Sequence, residues 1–473
     1  MALLRAVFLS CFFGMATLQA QLAGEWFAVL DAMGTKLPMK LELRQTADTW
    51  AGEMSDPTVP GRRIDLAEID YDGQQFSYTV PTLGIVFSGT QDGEELRGVF
   101  RQANTDFPLV FTRQRPVGYP SADAPSRPQE PQDFPYLRQS VTFAGGADSV
   151  TLAGELTLPA SDRPKAALVL VSGSGPQDRN SALGPPINHR PFLVLSDFLT
   201  RRGYAVLRYD DRGVGESTGS FSSATSADLA ADAGAALRFL REQPALAGVP
   251  VGMAGHSEGG MIAPMVAVAD GKMDFMVLLA APGVAIDSLM LEQRRLVSKA
   301  MGVPEAITLR DEPLIRAAYR WIGENTQLDQ ATYVEGLSRQ IEAQLDHLPE
   351  PVRQSIVDPK AYSAQYVRPL SSPWMRYFLA FQPRDYLRQL TMPLLAINGT
   401  KDTQVPDLAN LHAIAEAMAY SGNKDATVLA LPNLNHLFQP ADSGAPTEYG
   451  SIEITFDPVA LEAIADWLDA RFE

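Results

Sequence analysis

The sequence predicts two unlike domains: a small antiparallel all-β domain, then an α/β domain whose mostly parallel sheet is covered by helices and interrupted by a helical insertion. Three observations carry this. Residues 24–113 are short alternating or β-branched segments with turn residues between them and no helical period. From Leu137 onward, continuous apolar runs alternate with amphipathic helical patterns, which is how a parallel sheet buried on both faces reads. Residues 283–386 break that alternation with charge-rich helical sequence, after which it resumes.

The chain has 473 residues, 45% of them hydrophobic and 20% charged, as in a soluble globular protein of more than one domain. Lys plus Arg number 39 against 56 Asp plus Glu, a net charge of −17. That balance argues against nucleic acid or an anionic membrane surface as partner, because phosphate binding needs clustered positive charge.

Residues 1–20 read as a secretory signal. Arg5 gives a positive start, Ala6 to Ala16 an apolar core, and Ala20 a small residue for cleavage, with Leu18 a poor fit to the preceding small position. The apolar core is too short to span a bilayer, so the expectation is export to the periplasm or medium without a stable membrane span. The one cysteine, Cys11, lies in this leader, so the mature chain is expected to fold without disulfides or thiol chemistry.

In the β domain, read as 21–115, Lys40 to Arg44 alternates polar and apolar residues, and Asp72-Gly73 and Asp92-Gly93 are hairpin signals. It holds no histidine and no catalytic constellation. A binding module, a cover for a neighbouring site, a homodimer contact and a plain appendage all remain open for it. Pro116, Pro120, Pro125, Pro128, Pro131 and Pro135 make 116–136 a semi-rigid linker.

The α/β domain, read as 137–473, opens with a hairpin, Ser140–Phe143 and Thr151–Leu158. Strand Ala166–Val171, helix Phe192–Arg202, strand Ala205–Tyr209 and helix Asp228–Arg241 follow. Strand Phe275–Ala280, strand Leu394–Ile397, helix Asp407–Ala419, strand Thr427–Leu431 and helix Pro458–Phe472 complete it. Between these lies the stretch on which the chemistry turns: an apolar strand, Val249 to Ala254, then Gly255-His256-Ser257-Glu258-Gly259-Gly260, then a small-residue helix from Met261. A serine between two glycines at a strand-to-helix turn is held clear of the sheet beside a helix N-terminus.

A serine hydroxyl needs a base, best a histidine held by a carboxylate. The strand-turn-helix around Ser257 resembles that of the α/β-hydrolases, and the resemblance implies the chain order serine, acid, histidine. Three histidines follow Ser257. His347 lies in the insertion and His412 within a helical pattern, whereas His436 lies in a loop after the last core strand. Asp402 follows strand Leu394–Ile397 through a tight turn, and Asp407 reads as a first-turn helix residue. Oxyanion donors are expected from the N–H of Glu258 and, in the Gly-rich loop Ser172 to Pro176, of Ser174. Asp178-Arg179 reads as a local pair, and Asp210 to Ser217 as a structural turn rather than a metal site, having an arginine and no histidine. In the insertion, Trp374, Tyr377, Phe378 and Phe381 share one helical face. That face is either packing inside the insertion or an apolar wall for substrate, with Trp374 and Phe378 as its candidate contacts.

Gly173-Ser174-Gly175-Pro176, Asp210 to Ser217, Gly255 to Gly260 and Asn398 to Asp402 together resemble bacterial serine α/β-hydrolases of the carboxylesterase type, and more distantly the prolyl-peptidase-like branch. The resemblance covers about Leu137 to Glu473, and Ser257, Asp402 and His436 fall on its triad positions. Ser172-Gly173 stands where many relatives have His-Gly. What it implies is an α/β-hydrolase fold and acyl transfer to water without a cofactor; the insertion itself reads most simply as a helical lid, and the expected partner is a small-molecule ester, with no metal. A peptidase or aminoacyl hydrolase, and a catalytically idle binding protein, are the alternatives on the same scaffold.

Overall fold

The computed structural model describes residues 22–473 apart from 33–34, 47–48, 56–62, 103–104, 117–118, 120–126, 161–162 and 185–186. The signal read at 1–20, with Cys11, lies outside the described residues. The chain divides into two compact units, one of residues 1–125 and 183–188, the other of residues 126–182 and 189–473.

In the first unit the described residues form one antiparallel sheet of nine strands: β1 (Gly24–Ala32), β2 (Thr35–Thr46), β3 (Thr49–Ser55), β4 (Arg63–Asp65), β5 (Ala67–Tyr71), β6 (Gln75–Val80), β7 (Ile85–Asp92), β8 (Glu95–Gln102) and β9 (Thr105–Thr112). Their spatial order is β4-β3-β2-β1-β9-β8-β7-β6-β5. The N–H of Leu66 donates to the Gly52 carbonyl at 2.9 Å, continuing the β3/β4 pairing, and Leu66 alone separates β4 from β5, so the two ends of the sheet adjoin in the chain. Alternation does the folding: Leu41 and Leu43 of β2 point inward with Trp26, Tyr78, Phe87 and Phe111, all buried in one core. Asp72 and Asp92 stand where read, at the tight turns into β6 and β8.

The second unit holds an eight-stranded sheet of β10 (Leu137–Ala144), β11 (Thr151–Leu158), β12 (Ala167–Val171), β13 (Ala205–Tyr209), β14 (Val251–His256), β15 (Met276–Leu279), β16 (Leu394–Gly399) and β17 (Ala426–Leu431). The order is β10-β11-β13-β12-β14-β15-β16-β17. The pairs β10/β11 and β11/β13 are antiparallel, and all the others parallel. Strand residues divide by parity. Ala167, Val169 and Val171 pack with helices α2 (Ser226–Arg241), α3 (Gly259–Asp270) and α12 (Asp407–Ser421); Leu168 and Leu170 pack with α1 (Pro191–Arg201) and α13 (Pro458–Phe472) on the other face. The chain order reverses at β12, between β13 and β14, which opens a crevice at the carboxyl ends of these strands. No described helix is long and apolar enough to cross a membrane.

Most boundaries lie within a few residues of the sequence reading, and the starts of α2 and α3 differ for local reasons. Helix α2 starts at Ser226 rather than Asp228 because Thr225 caps it: Thr225 Oγ1 accepts from the Asp228 N–H, and the Asp228 carboxylate accepts from the Thr225 N–H at 2.8 Å. Helix α3 starts at Gly259, directly after the serine turn. Of the proline-rich stretch, residues 127–136 lie along the second unit. Arg127 donates to the Gly450 and Ile452 carbonyls, Gln129 bonds the backbone of Thr455 and Phe456, and Tyr136 donates to Asp197 at 2.7 Å.

The insertion between β15 and β16 comprises α4 (Ile286–Ala300), α5 (Glu305–Leu309), α6 (Glu312–Glu324), α7 (Gln330–Glu342), α8 (Glu350–Ser355), α9 (Pro359–Leu370), α10 (Pro373–Ala380) and α11 (Arg384–Leu387). It has a core of its own in which Leu314, Ala318 and Ile322 of α6 meet Tyr333, Leu337 and Ile341 of α7 at helical spacing.

One buried charge pair ties the sheet edge together. Arg208 on β13 is 1% exposed and pairs with Glu155 on β11, which also holds Arg138 at 2.7 Å. Glu155→Leu would leave Arg208 a buried cation without its carboxylate. The expected loss is about 3–5 kcal/mol in denaturant unfolding of this unit, and a loss below about 1 kcal/mol would contradict the assignment.

Candidate active site

Strand β14 ends at His256 and α3 begins at Gly259, so the chain turns from sheet to helix within two residues. Ser257 makes that turn at φ +54°, a left-handed conformation that costs a non-glycine residue about 1 kcal/mol or more. The sheet holds it there: Ser257 N–H donates to the Leu279 carbonyl of β15, and Gly260 N–H to the Ser257 carbonyl, both at 2.9 Å. The flanking glycines are steric necessities. A Cβ on Gly255 would lie 2.1 Å from the Gly259 oxygen, and one on Gly259 would lie 2.2 Å from the Val171 oxygen at the end of β12.

Asp402 and His436 meet across 34 residues. His436 Nδ1–H donates to Asp402 Oδ2 at 2.8 Å, and both residues are 5% exposed. The other oxygen, Asp402 Oδ1, accepts from the N–H groups of Gln404 and Val405, each at 2.8 Å, so the carboxylate cannot rotate away from the imidazole. The two loops are sewn to each other: Lys401 N–H donates to the Leu434 carbonyl, Asn433 N–H to Thr400 Oγ1, and Thr403 Oγ1 to the Gly444 carbonyl, all at 2.9 Å. Buried Asn435 closes the turn that carries the histidine, its Oδ1 accepting from the N–H groups of Leu437 and Gln439.

His256, the residue before the serine, is a contact the sequence did not announce. Its ring centroid is 4.8 Å from that of His436, and its Nε2–H donates to the His436 carbonyl at 2.8 Å. Burial and the neighbouring His436 push His256 down to about 3, so it stays neutral and serves as a fixed donor. Through it the loop bearing His436 is bound to the residue next to Ser257. The other two late histidines are elsewhere: His412 is exposed on α12 and His347 is exposed in the insertion. Asp407 is the first residue of α12.

The loop after β12 passes directly over the serine, since a Cβ on Gly173 would lie 3.1 Å from that of Ser257. Beneath it are two buried carboxyls. Glu258 is 1% exposed, and its Oε1 accepts from Ser226 Oγ at 2.6 Å and Trp374 Nε1 at 2.9 Å. Asp211 is 6% exposed; it accepts from the Gln177 N–H at 3.0 Å and from Ser172 Oγ at 3.3 Å. Arg179 does not pair with Asp178 as read. It reaches Asp210 and Glu216, each at 2.6 Å, because Asp178 is occupied in capping the N–H groups of Asn180 and Ala182. Among the described residues no group of three or more His, Cys, Asp or Glu side chains could hold a metal.

A cavity of about 600 Å³ lies beside this region, lined by Thr225, Pro373, Arg376, Tyr377, Ala380, Phe381 and Tyr386 together with Thr326, Gln327, Gln330, Gln382 and Asp385. The helical face read for four aromatics is thus divided: α10 ends at Ala380, and Phe381 follows it in extended backbone. Tyr377 and Phe381 line the cavity, while Trp374 stacks on Phe378 at 4.8 Å and turns its N–H to Glu258. Phe378 and Phe381 are both buried in the core shared with the sheet.

Asp211 makes stability depend on pH. Burial, with the charges of Glu258 and Asp232 adding to it, raises its carboxyl to about 7 against the opposing bonds from Gln177 and Ser172. The folded state therefore favours the protonated acid, and its contribution is lost as pH rises from about 4 through about 7. Asp211→Asn keeps an acceptor for the Gln177 N–H without the charge. It should melt higher than wild type at pH 8, by up to about 4 kcal/mol of stability, with the gain shrinking towards pH 4. An equal difference at both pH values would contradict this.

With the geometry in place, comparison with known proteins gives the lineage. The model of the alpha/beta hydrolase family matches residues 168–446, more than half of the chain. Esterase EstD of Thermotoga maritima is 26% identical over 324 residues, 67% of this chain and 65% of that protein, so the match spans just under two thirds of the relative. Among solved structures, Pyrococcus furiosus esterase Pf2001 is 16% identical with a TM-score of 0.42, covering 72% of this chain and 94% of its own. A hypothetical protein, PA2218 of Pseudomonas aeruginosa, is 18% identical with a TM-score of 0.42, covering 74% and 98%. On the match to the family model, the chain belongs to the alpha/beta hydrolase family.

Proposed function

We propose that the protein is an exported serine esterase that cleaves small or medium carboxylic esters through an acyl-enzyme. The observation that carries the reading is the strained serine at the β14–α3 turn, with His436, bonded to Asp402, packed on its neighbour His256. The relative from Thermotoga maritima bears the name esterase, which agrees with it.

In this reading Ser257 Oγ attacks the ester carbonyl carbon while His436 Nε2 takes the hydroxyl proton. The bond from Nδ1–H to Asp402 fixes the tautomer that leaves Nε2 free to accept, and the carboxylate stabilises the imidazolium once formed. The carbonyl oxygen becomes an oxyanion at the N-terminal end of α3, where the N–H groups of Glu258 and Ser174 receive it. Collapse of the tetrahedral species expels the alcohol, which leaves with the proton from His436. Water then attacks the acyl-serine by the same route in reverse, releasing the acid. Every group in these steps belongs to the chain. The cavity on α10 supplies room for one arm of the ester, and its mixed lining of aromatic, amide and charged side chains suits a compact or polar group better than a long alkyl chain. Export rests on residues 1–20 and predicts a mature chain beginning near Gln21, which N-terminal sequencing of protein from the cell envelope or medium would check.

The test is hydrolysis of a panel of p-nitrophenyl esters and aminoacyl amides. Ser257→Ala should fold normally and lose at least about 10³-fold in turnover. Asp402→Asn should also be severe and Asp407→Asn mild. A worse defect from Asp407→Asn would reassign the acid, and preference for the amides would make the protein a peptidase.

A further inference from the structure

At the residue after a nucleophilic serine, only the backbone N–H is needed for chemistry, so the side chain could be small and apolar. Here it is a carboxyl at 1% exposure, a costly group to bury. Its surroundings show what it holds. Oε1 receives Ser226 Oγ from the first turn of α2 at 2.6 Å and the Trp374 indole N–H from α10 of the insertion at 2.9 Å. Oε2 is buried and has no hydrogen-bond partner among the described residues. Burial pushes the acid up from its ordinary range, while the donors Ser226 and Trp374 favour the ionised form. One carboxyl thus joins the serine turn, the start of α2 and the insertion.

We propose that the Glu258 carboxyl is a positioning group that holds its own backbone N–H, the first of the oxyanion donors, and makes its alignment depend on the insertion through the Trp374 indole. The inference rests on the serine-esterase reading. Its consequence is that α10 acts on the rate of the chemical step as well as on the space for substrate. If the indole moves away, Oε1 keeps one donor, and the carboxyl that anchors Glu258 is free to shift. Oxyanion donors act only in the transition state, so misaligning them lowers kcat and leaves substrate binding largely alone.

The experiment is steady-state hydrolysis of one p-nitrophenyl ester by wild type, Ser257→Ala, Trp374→Phe, Ser226→Ala, Glu258→Leu and Glu258→Gln, with Tm for each. Trp374→Phe keeps the aromatic ring and removes the donor. It should lower kcat about 10-fold with KM within about 2-fold. Glu258→Leu should lower kcat about 100-fold. Glu258→Gln, whose amide oxygen accepts the same two bonds, should recover at least about 10-fold over the leucine variant. Where Glu258→Leu fails to fold, Trp374→Phe and Ser226→Ala decide the matter. Raised KM with unchanged kcat in Trp374→Phe, or equal losses in the leucine and glutamine variants, would overturn the proposal and make the side chain simple packing. Turnover indifferent to Ser257→Ala would overturn the esterase reading and this proposal with it.

Discussion

The site depends on one steric constraint: a non-glycine residue forced to φ +54° where a buried strand meets a buried helix. Nothing in the serine favours that conformation. It persists because β14 lies between β12 and β15 in a parallel sheet, with the Leu279 carbonyl and the Val171 backbone leaving no other course for the chain. The two apolar layers that bury the sheet therefore also hold the hydroxyl at the crevice. A strained local geometry is affordable only inside a rigid surround, and here the surround is the middle of an eight-stranded sheet.

Polar contacts then carry that rigidity outward. Asp402 is fixed by two backbone N–H groups before it meets His436, and His436 is fixed by its carbonyl on His256 as well as by its ring. Each candidate group is thus held twice, once by the element it stands on and once by a neighbour. Glu258 and Asp211 extend this beneath the loop after β12, at the cost of keeping two carboxyls largely out of water.

The parts of this arrangement that depend on local order were legible in the sequence. Continuous apolar runs located the core strands to within a residue or two at most ends, and Gly255 to Gly260 marked the turn because only glycine fits against the backbone there. Asp402 and His436 were legible because each follows a strand at the same edge of the sheet. What escaped was pairing between side chains far apart in sequence. The bond from Trp374 to Glu258 spans 116 residues, and that from Ser226 to Glu258 spans 32 and needs the helix start that Thr225 sets. Arg179 was read with its sequence neighbour, yet it pairs with Asp210, since the loop after β12 folds back over the end of β13. Helical spacing put Trp374, Tyr377, Phe378 and Phe381 on one face, but only packing could divide that face between the core, Glu258 and the cavity.

The most direct measurement of the central claim is a peptide map after reaction of the native protein with diisopropyl fluorophosphate. A serine activated at the β14–α3 turn by His436 should take up one phosphoryl group per chain, on the peptide containing Ser257, and His436→Ala should abolish the adduct. Labelling at another serine, no labelling of folded protein, or full labelling of the His436→Ala variant would contradict the account.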